Sequence, residues 1–126
     1  MSSTYRSLEE RFDLSIHEWI RYCSSEGVQK SRSAHTVTLT PAFRTIVHLG
    51  RGVLPLIDRA YRSNVESFLD HPTPAQSRAY DVLLHFGFER VILALTKDLN
   101  IPDEVRMDID ARTDYVRGWL RSYLER

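Results

Sequence analysis

Residues Thr40 to Tyr61 read TPAFRTIVHLGRGVLPLIDRAY, and the fold class turns on them. Thr40-Pro41 has the chemistry of a helix start. Threonine offers a side-chain oxygen to the unpaired amides of the first turn, and proline at the first helical position forfeits no hydrogen bond. Apolar residues then fall at Phe43, Ile46, Val47, Val53, Leu54 and Ile57, the spacing of a helix with one buried stripe. Gly50 and Gly52 interrupt the pattern. Gly50 suits the left-handed conformation that closes a helix, and Pro55 stands where the first turn of another would begin. The stretch predicts two short helices joined at the glycines. The competing reading, one helix kinked at Pro55, draws on the apolar register that carries through.

The chain then repeats itself. Ala42 to Gly50, AFRTIVHLG, aligns with Ala79 to Gly87, AYDVLLHFG, at a constant offset of 37 positions. Val53-Leu54 and Ile57 find counterparts in Val91-Ile92 and Leu95 after one inserted residue. A period near 40, each unit a pair of helices turning at a glycine, matches stacked helical hairpins, in which no unit buries its apolar face alone. The alternative is that two amphipathic helices ending in glycine resemble each other by composition alone.

At 126 residues the chain has the size of one domain. Its formal net charge is zero, which argues against a general polyanion binder. The charge is nevertheless uneven: residues 20–64 carry Arg21, Lys30, Arg32, Arg44, Arg51, Arg59 and Arg62 against Glu26 and Asp58 alone. The single cysteine, Cys23, excludes an internal disulfide and fits a reducing compartment. No apolar run approaches the roughly 18 to 20 residues of a membrane span, and residues 1–14 lack the pattern of a signal peptide. The expectation is a cytoplasmic location without membrane association.

Ser7 with Glu10 makes a capping-box pattern that opens a first helix, bearing the stripe Leu8, Phe12, Ile16, Trp19, Ile20 and Cys23 and closed by Gly27. Cys23 on that stripe reads as a small buried hydrophobe. Residues 28–39 read as a polar loop laid across the helices and ordered by a partner. After a linker over 62–74, Thr73-Pro74 with Gln76 restates the start signal. The stripe Ala79, Val82, Leu83, Phe86 then jumps register to Phe88, Val91, Ile92, Leu95 and Leu99, which predicts a break at 85–87. A last helix is expected from Pro102-Asp103-Glu104, with stripe Val105, Ile109, Val116, Trp119, Leu120 and Tyr123. On its wet side Asp108 with Arg112, Arg106 with Asp110, and Arg121 with Glu125 are spaced to meet.

Candidate chemistry is sparse. His48 and His85 occupy equivalent places in the repeat, where stacked hairpins could bring them together as a metal or acid-base pair. The plainer account puts each imidazole on the free carbonyls of a last helical turn. Gly50-Arg51-Gly52 could form an anion-binding nest but lacks P-loop spacing and its lysine. Asp108, Asp110 and Asp114 do not make a calcium loop, because Thr113 and Trp119 stand where glycine and a bidentate glutamate are needed. No metal site or cofactor is expected. The remaining lead is a positive surface from Lys30, Arg32, Arg44, Arg51, Arg59 and Arg62, suited to phosphates or an acidic protein, with scattered arginines on wet helix faces as the alternative.

Pro41-Ala42-Phe43, Ile46, Leu49-Gly50 and Val53-Leu54-Pro55-Leu56-Ile57 resemble a motif of short uncharacterised bacterial all-helical proteins, in which an aromatic-rich helix and a tryptophan-bearing terminal helix follow. Leu95-Thr96 and Trp119-Leu120 sit where that pattern expects them; the insertion of 64–77 and the lack of a tryptophan near Phe88 depart from it. The turn-glycine-helix unit resembles HEAT-type repeats. That resemblance implies protein or nucleic-acid binding and no catalytic activity.

Together these readings predict an all-α domain of four to six helices: an N-terminal helix within 1–27, two HEAT-like hairpins over 40–62 and 74–100, and a C-terminal helix over 102–126. The expected function is a non-catalytic, adaptor-like or antitoxin-like module docking on one protein partner. A nucleic-acid binder using the arginines of 20–64 and a small enzyme at His48 and His85 are the alternatives, and homodimerisation is open to all three.

Overall fold

The computed structural model describes residues 7–30 and 34–126, and these are all-helical with no strand. The α-helical segments are α1 (Leu8–Cys23), α2 (Glu26–Gln29), α3 (Pro41–Leu49), α4 (Leu54–Tyr61), α5 (Pro74–Val82), α6 (Phe88–Thr96), α7 (Asp103–Arg106) and α8 (Ile109–Leu124). Because α5 runs into α6 without interruption, the described residues hold seven helices, more than the four to six expected.

The local start signals act as read. The Ser7 hydroxyl accepts from the Glu10 amide at 3.1 Å and the Glu10 carboxylate accepts from the Ser7 amide at 3.4 Å, closing a capping box. Thr73 and Gln76 do the same for α5 at 3.1 and 2.8 Å. Thr40 caps α3 ahead of Pro41, and Gly50 ends it at φ 87°, a conformation that costs glycine nothing. The central stretch is therefore two helices, α3 and α4, joined by a 3₁₀ turn over Arg51–Val53, and not one kinked helix.

The second unit departs from the repeat. There is no break at 85–87: Leu83–Gly87 is a π-helical turn, and the Phe88 amide donates to the Leu83 carbonyl five residues back. One extra residue in a turn rotates everything after it, which is the register jump seen in the sequence. Gly87 keeps ordinary helical angles (φ −65°) and serves close packing instead: a Cβ there would lie 2.9 Å from the Trp19 ring. The hairpin expected over 74–100 is thus a single helical rod, closed by Lys97 in the left-handed conformation (φ 59°).

α1 packs against α3 and α5, α3 against α6, and α8 against α4, α7 and the π turn. Trp19 sits at the middle of this arrangement, edge-on to Phe43 at 5.6 Å and to Phe88 at 6.2 Å, with its indole N–H donating to the Val37 carbonyl at 2.8 Å. Tyr22 donates to the Thr36 carbonyl at 2.9 Å. These two bonds fix the 3₁₀ segment Ala34–Thr38, so that part of the supposed partner-ordered loop is held by its own chain. Cys23 is buried on α1 as expected, and burial pushes its thiol up to about 12.

The C-terminal helix also starts later than expected. α7 is one turn, and α8 begins anew with the Asp108 carboxylate accepting from the Ala111 amide at 3.1 Å. Ile109 consequently falls outside the stripe that Val105 begins, and it is exposed. Asp108 is a cap rather than the partner of Arg112, and Arg106 pairs with Asp103 at 3.4 Å rather than with Asp110.

Candidate functional site

Along the outer side of α8 three depressions meet at Asp114. The first, about 270 Å³, is walled by Tyr61 of α4, Leu84 and His85 of the π turn, and Asp110, Thr113, Asp114 and Arg117 of α8. The second, about 190 Å³, adds Gly118 and Arg121; the third, about 420 Å³, adds Tyr115, Gly118, Trp119 and Ser122. Asp110, Thr113, Asp114 and Arg117 share one face because they are spaced i, i+3, i+4 and i+7 on a helix. The π turn supplies the other wall. Its widened backbone keeps Leu83 and Phe88 in the core while leaving Leu84, His85 and Phe86 half-buried.

His85 is held in place: its Nδ1 shares a 2.8 Å hydrogen bond with the Thr113 hydroxyl. Tyr61 is 5% exposed, packs edge-on to Phe88 at 5.4 Å, and carries the Arg117 guanidinium 5.8 Å above its ring. Its hydroxyl is buried and has no hydrogen-bond partner among the described residues. Burial, and secondarily the Glu89 charge, drive the Tyr61 phenol well above its ordinary range against the opposing pull of Arg117. It remains a neutral O–H donor throughout the physiological range.

Behind this wall lies a buried ion pair that sequence reading missed. Glu89 is 3% exposed and accepts from Arg112 Nε at 2.8 Å and Nη2 at 2.7 Å, a two-pronged geometry. The bonds to Glu89 hold the Arg112 proton more tightly than usual, outweighing the effect of burial. One signal was available: Glu89 lies four residues after His85 and three before Ile92, on the inward side of the rod. By contrast, Asp110, Asp114, Arg117 and Arg121 make no ion pair among the described residues.

Farther along α8, Trp119 and Tyr123 stack at 5.2 Å and 18°, and the Arg126 guanidinium lies 5.4 Å over Tyr123. Beside them is Gly118, exposed in mid-helix, with nothing among the described residues within 4 Å of where a Cβ would stand.

Of the basic residues singled out from the sequence, three are matched to carboxylates. Lys30 pairs with Glu26 at 2.6 Å, Arg62 with Asp58 at 2.9 Å, and Arg59 with both Glu9 and Asp13 at 2.9 Å. Arg51 donates to the Leu95 carbonyl at 3.1 Å, near the end of the rod. Arg44 is exposed, and Arg32 lies outside the described residues. His48 is exposed in the last turn of α3, whereas His85 is engaged with α8, so the two serve different parts of the fold. Among the described residues no group of three or more His, Cys, Asp or Glu side chains is placed to hold a metal ion, and no helix is long and apolar enough to cross a membrane.

No protein-family model, curated protein or solved structure matches this chain. The reading of the site therefore rests on its own chemistry. That chemistry comprises aromatic faces, unpaired charges of both signs among the described residues, and a depression framed by two helices.

Proposed function

We propose that this chain is a protein-interaction module, adaptor-like or antitoxin-like and non-catalytic, whose protein partner docks on the outer face of α8. The observation that supports it is the stacked Trp119–Tyr123 pair beside the open groove at Gly118. Tyrosine, tryptophan and arginine are the residues that dominate binding energy at protein interfaces. A mid-helix glycine costs about 1 kcal/mol relative to alanine, and among the described residues nothing lies within 4 Å of a Gly118 Cβ to offset that cost. A partner surface lying close over the helix would use the room. Of the basic residues of the nucleic-acid reading, Lys30, Arg59 and Arg62 are matched to carboxylates.

The test is the mass of the complex recovered with a tagged chain from its native host, with and without nuclease. A discrete heteromeric complex resistant to nuclease, lost on Gly118→Arg and weakened at least tenfold by Trp119→Ala, is expected. Gly118→Ala should meanwhile raise stability by about 0.5–1 kcal/mol. A complex that nuclease disperses, a homodimer of this chain alone, or binding indifferent to Gly118→Arg would overturn the reading.

A further inference from the structure

The charges that α8 leaves on its outer side are ordered. Asp110, Asp114, Arg117 and Arg121 make no ion pair among the described residues, and at about 100° per residue they fall within an arc of about 60°. Arg117, half-buried over the Tyr61 ring, stands at one edge of that arc. The two acids lie four residues apart, as do the two bases, so each half of the helix sets like charges side by side, which is mildly unfavourable to it. The helix dipole accounts for the ends of this order, Asp110 in the first turn and Arg121 in the last. It does not account for Asp114 and Arg117, which lie inside those turns, where the dipole's effect has faded. The order is also symmetric. Asp110 and Asp114 precede the point between Tyr115 and Val116 by the same intervals at which Arg121 and Arg117 follow it.

We infer that this face is covered by a second copy of the chain when no other protein holds it, the two α8 helices lying antiparallel across a two-fold axis at that point. Asp110 of each copy then faces Arg121 of the other, and Asp114 faces Arg117, so that every like-charged neighbour within a helix gains an opposite charge across the axis. A parallel pair would set aspartate against aspartate and arginine against arginine. Glu125, the next exposed charge, lies beyond the start of the second copy's α8 and outside the pairing. Gly118, one helical turn after Asp114, has no side chain, and the bare backbone there lets the second helix come within reach of the short aspartates. The contact is a strip about 20 Å long and about 10 Å wide, far below the ~800 Å² per partner of a stable complex. The dimer is therefore weak, sensitive to salt, and opens on dilution. One consequence rests on the function proposed above: dimer and heteromeric partner use the same face, so they exclude each other and the tighter partner opens the dimer. The dimer itself does not rest on that reading.

Sedimentation equilibrium of the purified full chain, from about 10 μM to about 1 mM, measures the dissociation constant. A monomer–dimer equilibrium is expected in that range at about 0.02 M salt, weakened at least about tenfold at about 0.5 M, where charges are screened within a few ångströms. Asp114→Arg or Arg117→Asp alone sets like charges opposite each other at two places and should weaken the dimer at least about tenfold. The two changes together should restore it to within about threefold of the parent, yet this chain should pair with itself and not with the parent, which only the antiparallel arrangement requires. The same series at Asp110 and Arg121, both exposed and clear of Tyr61, decides the matter should Arg117→Asp fail to fold. A chain monomeric at about 1 mM in low salt, a dimer indifferent to the single reversals, or a doubly changed chain that stays monomeric or prefers the parent would overturn the inference. A monomeric chain whose heteromeric complex is still lost on Gly118→Arg would sink this inference and leave the proposed function standing; a dimer that obeys these charge rules beside a heteromeric complex indifferent to Gly118→Arg would do the reverse.

Discussion

Replacing Tyr61 by phenylalanine should stabilise this protein, although the residue is one of the best buried in the fold. The hydroxyl has been taken from water without a hydrogen bond in return, a desolvation cost of about 1–3 kcal/mol. Deleting it recovers that cost and leaves a void of roughly one atom, worth about 0.3–0.5 kcal/mol at ~24 cal/mol per Å³. The edge-on contact with Phe88 at 5.4 Å and the position of Arg117 over the ring do not involve the oxygen. The net expectation is a gain of about 1–2 kcal/mol, or about 3–8 °C in Tm for a domain of this size. Tyr80→Phe is the internal control. Its hydroxyl donates to the Ala60 carbonyl at 2.7 Å, one residue before Tyr61, so the same chemical deletion should cost about 1 kcal/mol. Guanidinium denaturation of the three proteins measures both effects, provided the m-value is unchanged. A fall in midpoint for Tyr61→Phe comparable to that for Tyr80→Phe would show that the Tyr61 hydroxyl is engaged, and would refute the reasoning.

The remaining predictions concern charge. Glu89→Ala leaves Arg112 largely buried without its partner and should cost about 3 kcal/mol, whereas the double change Glu89→Leu with Arg112→Met should fall within about 1 kcal/mol of the parent; equal losses in denaturant midpoint for the two proteins would contradict this. Stability should also fall in alkali. Cys23 titrates from 9.0 in the absence of the fold to about 12 within it, and the Tyr61 and Tyr80 phenols are raised in the same sense by burial. For such acids the unfolded chain loses its protons first, so their contribution is complete below about pH 9 and is lost progressively toward pH 12, by up to about 1.4 kcal/mol per pH unit for each group. Denaturation midpoints constant from pH 8 to 11 would refute it. For the same reason Cys23 should resist alkylation in the native protein and react on unfolding.

What could be read from the sequence was local. Ser7 with Glu10, Thr73 with Gln76, Thr40 before Pro41, and the stripe from Phe12 to Cys23 each specify their outcome within one or two helical turns, and each is found. The groups of the α8 cavity were visible one by one but not as a set. Asp110 and Asp114 looked like solvated charge, Tyr61 like the end of a helix, and His85 like an imidazole closing a helical turn, with a pairing to His48 as the alternative. They meet only because α4, the rod and α8 pack together, and no spacing along the chain reports that contact.

Gly50 and Gly87 show where the limit lies. The nine-residue segments that end in them match in aromatic, aliphatic, histidine and glycine positions, yet Gly50 ends a helix at φ 87° and Gly87 continues one at φ −65°. The difference comes from what lies opposite. At Gly50 a Cβ would meet nothing within 4 Å among the described residues, so the residue is needed for its backbone freedom; at Gly87 it would strike Trp19 at 2.9 Å, so the residue is needed for its missing side chain. The register jump after Leu83 did announce a discontinuity, but a broken helix and a π turn displace the apolar stripe alike. The contact with Trp19, nearly 70 residues away in the chain, favours keeping the rod intact, because the indole packs against Gly87 and Phe88 together. That same unbroken turn is what presents Leu84 and His85 to α8. The feature the sequence marked as the turn inside a repeat unit is therefore the wall of the cavity.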